Sequence, residues 1–387
     1  MTIPRLNSDR LVRTFMDLVR IDTPSLQEAA VADYLESLLR PLGVRYWRDN
    51  AGEKIGGNCG NLHVRMAARN SKAPAVLFSA HLDSVMPCIG IKPQLQDGVI
   101  RSDGTTVLGA DDKAGVAAVV ELLRCLHESN MPHGPVEAIF DVSEEIGLLG
   151  ANHVDLSAVE AKYAFVLDGE ELDRIVFRAP SANRMTYEID GIAAHAGMAP
   201  EKGVSAIEVF ARAVSNMRLG RLDEESTANI GTVSGGRATN IVADKLTATA
   251  EARSHSKNAL EAQTQHMSEC FEQAVAQFTR SVNGKVIAPK FHADIRREYD
   301  AMSVPFDSPV YRLVAEAGTT LGLNMQPMAI GGGTNANVYN EKGLPAVVIG
   351  CGMRNEHTTS EHVYVKDLEL STSLCLMIVA KNHELAG

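Results

Sequence analysis

Two adjacent carboxylates, Asp111 and Asp112, interrupt a stretch of small and apolar residues at positions 105–123. From Ala114 onward the spacing of Ala, Val and Leu predicts a helix that packs tightly against another element. The pair therefore lies at the helix N-terminus, where the helix dipole and the free backbone N–H groups favour negative charge. An N-cap is the ordinary interpretation of such a pair. The alternative is that Asp111 is the carboxylate on which two metal ions meet.

Further histidines and acidic residues follow apolar runs elsewhere in the chain: His81, Asp83, Glu144, Glu145, Asp168 and His357. Imidazole and carboxylate ligands together suit Zn²⁺, Mn²⁺ or Co²⁺. His81 and Asp83 lie on one face of an extended segment, so Asp83 can fix the tautomer of a metal-bound imidazole. The adjacent Glu144 and Glu145 point in different directions, so one can bind metal while the other moves a proton. A solvated turn is the ordinary interpretation of two neighbouring glutamates, but the segment that follows them is apolar.

The apolar runs that precede these residues predict strands buried on both faces of a parallel sheet. There are four such runs, at residues 75–80, 136–142, 164–167 and 344–349. Three of them end directly in a polar residue, and the fourth reaches His357 a few residues later. Because ligands bind beyond the C-terminal strand ends of open α/β sheets, we expect one sheet edge to bring the separated residues together.

The length of 387 residues exceeds what one hydrophobic core usually holds, which predicts two domains. The region from about residue 180 to residue 295 has a different pattern from the rest. Two alternating segments and two segments with helical spacing predict a small α+β domain inserted there. Outside it, further helices are expected at residues 8–19, 27–39, 308–321 and 367–381.

Composition excludes several classes of partner. The net charge is −11 and no basic run occurs, so neither nucleic acid nor an anionic membrane surface is an expected partner. No apolar run reaches membrane-spanning length, and the polar N-terminus lacks the apolar core of a signal peptide. The six cysteines are scattered without a C-x-x-C pair, which predicts reduced thiols and a cytoplasmic location.

Taken in order, five segments resemble motifs of the M20 family of di-zinc metallopeptidases. They are residues 81–83, 109–115, 143–147, 167–169 and 356–358. Within that family, residues 103–106 followed by 108–115 are most similar to the peptidase T branch of tripeptide aminopeptidases. Ala114 separates Lys113 from Gly115, as in that branch. The motif of this chain is therefore one residue longer at this point than the general family pattern. The resemblance covers essentially the whole chain.

The resemblance implies a role for each residue of the set. One metal would be held by His81, Asp111 and Asp168, and the other by Asp111, Glu145 and His357. Asp83 would orient His81, and Glu144 would be the general base. The implied fold is α/β, with a mixed, largely parallel sheet flanked by helices and an inserted α+β lid domain. The catalytic domain would comprise residues 1–179 and 296–387, and the lid or dimerisation domain residues 180–295.

In the inserted domain, His195 matches a histidine that stabilises the transition state in this family. Asn240 and Arg253 match substrate-binding positions. Their ordinary interpretations are a surface loop histidine, a turn asparagine and a surface arginine.

The function implied is hydrolysis of amide bonds in short peptides by two divalent ions, with Zn²⁺ favoured over Mn²⁺ or Co²⁺. A tripeptide aminopeptidase is the first interpretation, and an N-acyl amino acid deacylase or a carboxypeptidase is the alternative within the family. A non-catalytic peptide-binding relative is the alternative of another class, and Glu144 together with a full ligand set argues against it. A homodimer formed through the lid domain is also expected.

Overall fold

The computed structural model describes residues 2–282 and 284–386 of the chain. It divides into two compact units, one formed by Met1–Ala179 with Met302–Gly387 and the other by Pro180–Ala301. The expected boundary at residue 295 falls inside strand Lys290–Tyr299, which belongs to the sheet of the second unit.

The helices of the first unit come from both of its chain segments. They are Ser8–Val19, Ala29–Leu39, Ala51–Ile55, Ala110–Glu128, Leu149–His153, Pro309–Thr320, Asn335–Glu341 and Val365–Ala386, with 3₁₀ turns at Arg40–Leu42 and Leu156–Ala158. Helix Ser8–Val19 lies where the sequence predicts it, and Ala29–Leu39 begins two residues later than expected.

A nine-stranded mixed sheet forms the centre of the first unit. Its strands follow the order Arg45–Arg48, Leu62–Met66, Val136–Asp141, Val76–His81, Tyr163–Gly169, Ala346–Gly350, Arg174–Ala179 and Met302–Ser303, and Gln326–Ala329 pairs with Arg174–Ala179. The third to sixth strands in this order are mutually parallel, and they correspond to the four buried runs of the sequence. The α/β fold with a largely parallel centre is therefore confirmed.

Both faces of the central strands are covered, which explains their nearly continuous apolar sequences. In strand Val76–His81 every residue is buried. Phe78 belongs to the larger hydrophobic core on one face, together with residues of helix Ala110–Glu128. Its neighbour Leu77 belongs to a separate core on the other face, where it is joined by Tyr339.

Nearly all residues of helix Ala110–Glu128 are buried, because the central sheet and helices Ser8–Val19 and Val365–Ala386 all pack against it. Gly115 permits the close approach, because a Cβ there would lie 2.7 Å from the carbonyl oxygen of Leu167. The helix is therefore fixed against the strand that carries Asp168.

A smaller antiparallel sheet completes the first unit. Its strands follow the order Met353–Arg354, His362–Tyr364, Val99–Arg101 and Gln94–Gln96. This sheet joins the segment around His357 to the segment that leads into helix Ala110–Glu128.

The second unit has a five-stranded antiparallel sheet packed with helices. Its strands follow the order Gly220–Arg221, Ser226–Gly235, Lys245–Ser254, Ser181–Asp190 and Lys290–Tyr299. The helices are Ala206–Val214 and Lys257–Phe278, with a 3₁₀ turn at Pro200–Lys202 and a hairpin of Arg280–Val282 with Lys285–Ile287. The rings of Tyr187, Phe271 and Phe291 contact one another in its core, and those of Phe271 and Phe291 are stacked.

Only two of these strands are expected from the sequence. Strand Ser226–Gly235 is rich in Ser, Thr and Gly, and strand Lys290–Tyr299 carries charges on its exposed face, so neither shows a clear apolar alternation. No helix within residues 2–282 or 284–386 combines the length and the apolar character that crossing a membrane requires.

Candidate metal centre

The ends of the four parallel strands bring all five expected metal ligands together at one edge of the sheet. His81 Nε2 lies 2.9 Å from Asp111 Oδ1, and His357 Nε2 lies 3.2 Å from Asp111 Oδ2. His357 Nε2 is also 3.1 Å from Glu145 Oε2, and His81 Nε2 is 3.9 Å from Asp168 Oδ1. The ligands therefore form two groups, each with one imidazole, and Asp111 belongs to both.

The two aspartates at the helix N-terminus have separate partners. Both have non-helical backbone angles, so regular helix begins only after Asp112. Asp112 Oδ1 accepts a hydrogen bond from the backbone N–H of Gly115 (3.1 Å), as an N-cap side chain does. Its Oδ2 accepts one from the backbone N–H of His81 (3.2 Å).

Geometry alone leaves two possible ligand groups around His81. Asp112 lies near enough to His81 and Asp168 to form one, and Asp111 forms another with His81 and Glu145. We favour Asp111 as the shared ligand because its two oxygens face two different imidazoles, whereas both oxygens of Asp112 accept backbone hydrogen bonds.

The charges of this group are strongly coupled. Hydrogen bonds with Asp111 and Glu145 raise the pKa of His357 to about 11. Burial, together with the charge of Asp111, raises the pKa of Asp168 to about 7. Burial also raises the pKa of Asp111, but hydrogen bonds with His357 and His81 outweigh it and hold that pKa below its usual range. Several acidic groups thus compete for the positive charge of two imidazoles, and divalent cations would relieve their repulsion.

The donor set fits such cations in a second respect. Glu145 Oε1 is buried and has no hydrogen-bond partner among the described residues. A buried carboxylate oxygen without a partner is costly, so an ion at this point would remove the penalty. The mixture of two imidazoles with carboxylates is also the donor chemistry of Zn²⁺, Mn²⁺ and Co²⁺ sites.

Asp83 lies directly behind this group and is fully buried. Its Oδ1 is 3.4 Å from His81 Nδ1, on the side of the ring opposite Asp111. Its carboxylate accepts the backbone N–H groups of Glu144 (2.9 Å) and Glu145 (3.2 Å). Asp83 is therefore placed to orient both an imidazole and the turn that carries the two glutamates.

The side chain of Glu144 is almost completely buried. Burial raises its pKa well above the ordinary value, and the charges of Asp168 and Glu145 act in the same direction. A carboxyl group with a raised pKa exchanges protons more readily near neutral pH, as a general base must.

Two buried residues beside the candidate metal centre were not among the site residues predicted from the sequence. Glu361 accepts the backbone N–H groups of Leu108 (2.6 Å), Gly109 (2.7 Å) and Asp111 (2.9 Å), so it ties the segment of Asp111 to the segment of His357. No pattern in the sequence distinguishes this glutamate, because its partners lie some 250 positions earlier in the chain.

Lys113 is the second buried residue that the sequence analysis did not assign to the site. It is fully buried, and its Nζ donates to Ser84 Oγ (2.6 Å), which places a cation beside the acidic group. Its position directly after the two aspartates is the signal that could have found it.

The three remaining expected residues lie in the second unit. Within this unit the segments of His195 and Asn240 are adjacent, since the backbone N–H of Ala196 donates to the carbonyl oxygen of Asn240 (3.0 Å). Both side chains are exposed. Arg253 lies on strand Lys245–Ser254 and is partly buried; it pairs with Glu251 at 2.9 Å, and its Nε has no partner among the described residues.

Comparisons with known proteins agree with this geometry. The sequence model of the family described as peptidase family M20/M25/M40 matches residues 77–381. The uncharacterized protein YqjE from Bacillus subtilis (strain 168) is 36% identical over 375 residues, covering 97% of this chain and 98% of that protein. The crystal structure of aminopeptidase PepT from Bacillus cereus ATCC 10987 is 38% identical, with a TM-score of 0.85 over 97% of this chain and 99% of that one. A tripeptidase from Staphylococcus aureus subsp. aureus Mu50 is 35% identical, with a TM-score of 0.90 over 98% and 99%.

Proposed function

The chain belongs to the peptidase family M20/M25/M40 and is a peptide-bond hydrolase, and from this premise we propose that it is a di-metal aminopeptidase acting on tripeptides. The observation that carries the di-metal proposal is the position of Asp111, whose two oxygens face His81 and His357. Similarity to structures described as an aminopeptidase and a tripeptidase supports the choice of substrate.

We assign His81, Asp111 and Asp168 to one metal, and Asp111, Glu145 and His357 to the other. Zn²⁺ is the proposed native ion, with Mn²⁺ or Co²⁺ as alternatives. When bound, the two ions supply Lewis-acid activation of the substrate carbonyl and of water.

The remaining chemistry falls to side chains of this chain. Glu144 accepts a proton from the attacking water and returns it to the leaving amine. Asp83 holds the imidazole of His81 in place. His195 donates a hydrogen bond to the oxyanion, and Asn240 and Arg253 bind the substrate, with Arg253 facing its terminal carboxylate.

A substrate panel tests the proposal directly. The protein is stripped with a chelator, reloaded with Zn²⁺, Mn²⁺ or Co²⁺, and assayed on dipeptides, tripeptides and N-acetyl amino acids. We expect about two ions per chain, no activity in the stripped protein, and release of the N-terminal residue from tripeptides.

Each alternative has its own outcome in this panel. Preferred cleavage of N-acetyl amino acids would identify a deacylase, and release of the C-terminal residue would identify a carboxypeptidase. Full activity of the stripped protein would contradict the di-metal centre itself.

The role of His195 gives a separate prediction. A hydrogen bond that forms only as charge develops in the transition state acts on kcat, so His195→Ala should lower kcat by about 10²-fold and change KM much less. Metal content and folding should be unchanged, as checked by elemental analysis and circular dichroism. His292→Ala is the matched control, because His292 is an exposed histidine of the same unit. A His195→Ala enzyme as active as this control would reduce His195 to a surface residue.

Two further proposals concern the setting of the enzyme. We propose a homodimer formed through the second unit, and sedimentation equilibrium of the intact chain would test the oligomeric state. We also propose a cytoplasmic location, and the six cysteines, all buried and none in a disulfide within the described chain, are compatible with reducing conditions.

A further inference from the structure

Three consecutive backbone N–H groups, those of Ser143, Glu144 and Glu145, each donate to a side-chain carboxylate. The N–H of Ser143 donates to Glu28 Oε1 at 3.0 Å. The next two donate to Asp83 Oδ1 and Oδ2 at 2.9 and 3.2 Å. Two buried acids therefore accept the backbone N–H groups of the turn that carries the proposed base.

One of these acids comes from the N-terminal segment at residues 23–28. Oε1 of Glu28 also accepts the hydroxyl of Ser143 (2.8 Å) and the N–H of Leu26 (2.9 Å). Ser25 of the same segment donates its hydroxyl to Asp83 Oδ2 (2.6 Å). This segment thus supplies one of the two carboxylates that hold the turn, and through Ser25 it contacts the other.

The arrangement is expensive for the fold. Glu28 is completely buried, and its Oε2 has no hydrogen-bond partner among the described residues. Burial raises its pKa, and the nearby charge of Asp83 adds to this effect. Ser143 has a φ of +53°, a left-handed conformation that side chains other than glycine adopt at a cost. A buried acid with an unpartnered oxygen beside a strained residue is a costly feature of the kind that clusters at functional sites.

We infer that Glu28 is a positioning residue, which fixes the direction of the Glu144 carboxylate by holding the backbone of Ser143. The inference rests on the proposed function, since it acts through Glu144 as the base. Glu28 does not touch the metal ligands, so its effect is expected on the rate of proton transfer and not on metal binding.

Two substitutions separate the reach of Glu28 from its charge. Glu28→Gln keeps an oxygen at the same distance and removes the charge, whereas Glu28→Asp keeps the charge and withdraws the acceptor by one methylene. We expect Glu28→Asp to lower kcat by about tenfold or more at nearly constant KM, because a small misplacement of a catalytic group is costly. Glu28→Gln should stay within about threefold of wild type.

Metal content, Tm, kcat and KM are measured for each variant, alone and combined with Glu144→Gln. Because Glu28 acts through Glu144, Glu28→Asp should cause no further loss in the Glu144→Gln enzyme. Glu137→Asp is the matched control. Glu137 is a buried acid near the start of strand Val136–Asp141, the strand that leads to Ser143, and it accepts the backbone N–H groups of Glu160 and Ala161. This control should lower Tm without lowering kcat.

Three results would overturn the inference: equal losses in the Asp and Gln variants, loss of metal in Glu28→Asp, or multiplicative losses with Glu144→Gln. Failure of the proposed function looks different. A fully active Glu144→Gln enzyme contradicts the base and the inference together. An inactive Glu144→Gln enzyme beside a fully active Glu28→Asp enzyme contradicts only the inference.

Discussion

Replacement of Glu144 by glutamine is expected to lower kcat by at least about 10²-fold while both metal positions stay filled. The amide preserves the shape of the side chain but cannot accept a proton from water. Glu144 is almost completely buried and is not one of the proposed metal ligands, so the substitution should leave those ligands in place. Steady-state kinetics on a tripeptide, together with elemental analysis of the same preparation, measure both quantities.

Glu145→Gln is the matched comparison, since it makes the same chemical change one residue later. Glu145 Oε2 lies 3.1 Å from His357 Nε2, and its buried Oε1 has no hydrogen-bond partner among the described residues. This variant should therefore lose affinity for one ion. Loss of metal from the Glu144 variant and retention by the Glu145 variant would show that the two roles are exchanged.

The second large effect is expected at Asp111. Asp111→Asn replaces the shared carboxylate by a neutral amide, which cannot bind two cations through equivalent oxygens. Both metal positions should therefore empty, and activity should fall to the level of the chelated protein. Titration of the stripped variant with Zn²⁺ or Mn²⁺, followed by elemental analysis after dialysis, measures the number of ions retained.

Asp112→Asn is the control for this experiment. Its oxygens accept backbone hydrogen bonds from His81 and Gly115, and asparagine is also a good N-cap residue. We therefore expect at least one ion to remain and the helix to stay intact. Equal metal loss in the two variants would contradict the assignment of Asp111 as the shared ligand.

The central sheet could be predicted from the sequence because its strands are buried on both faces. The run at residues 75–80 has Ser79 as its one polar residue, and His81, which follows it, marks the end of the strand. The rule that ligands gather at the C-terminal ends of parallel strands then predicts that His81, Asp168 and His357 lie near one another.

The buried acids that hold the backbone around the site could not be predicted in this way. Glu361 and Glu28 accept hydrogen bonds from backbone N–H groups that are distant in the chain. Every residue except proline has such an N–H group, so the identity of the partner residue leaves no pattern in the sequence. Strand Ser226–Gly235 was missed for a related reason: its Ser, Thr and Gly residues carry a weak apolar signal, and pairing with Lys245–Ser254 determines its conformation.

The order of the strands has a consequence for biosynthesis. Strand Ala346–Gly350 lies between Tyr163–Gly169 and Arg174–Ala179, so a late segment of the chain is inserted between two early ones. A nascent chain that ends before this strand carries His81, Asp111, Glu145 and Asp168 but lacks His357. The proposed metal centre is therefore incomplete until this late strand has been made and has paired with the sheet, and such long-range pairing is slow.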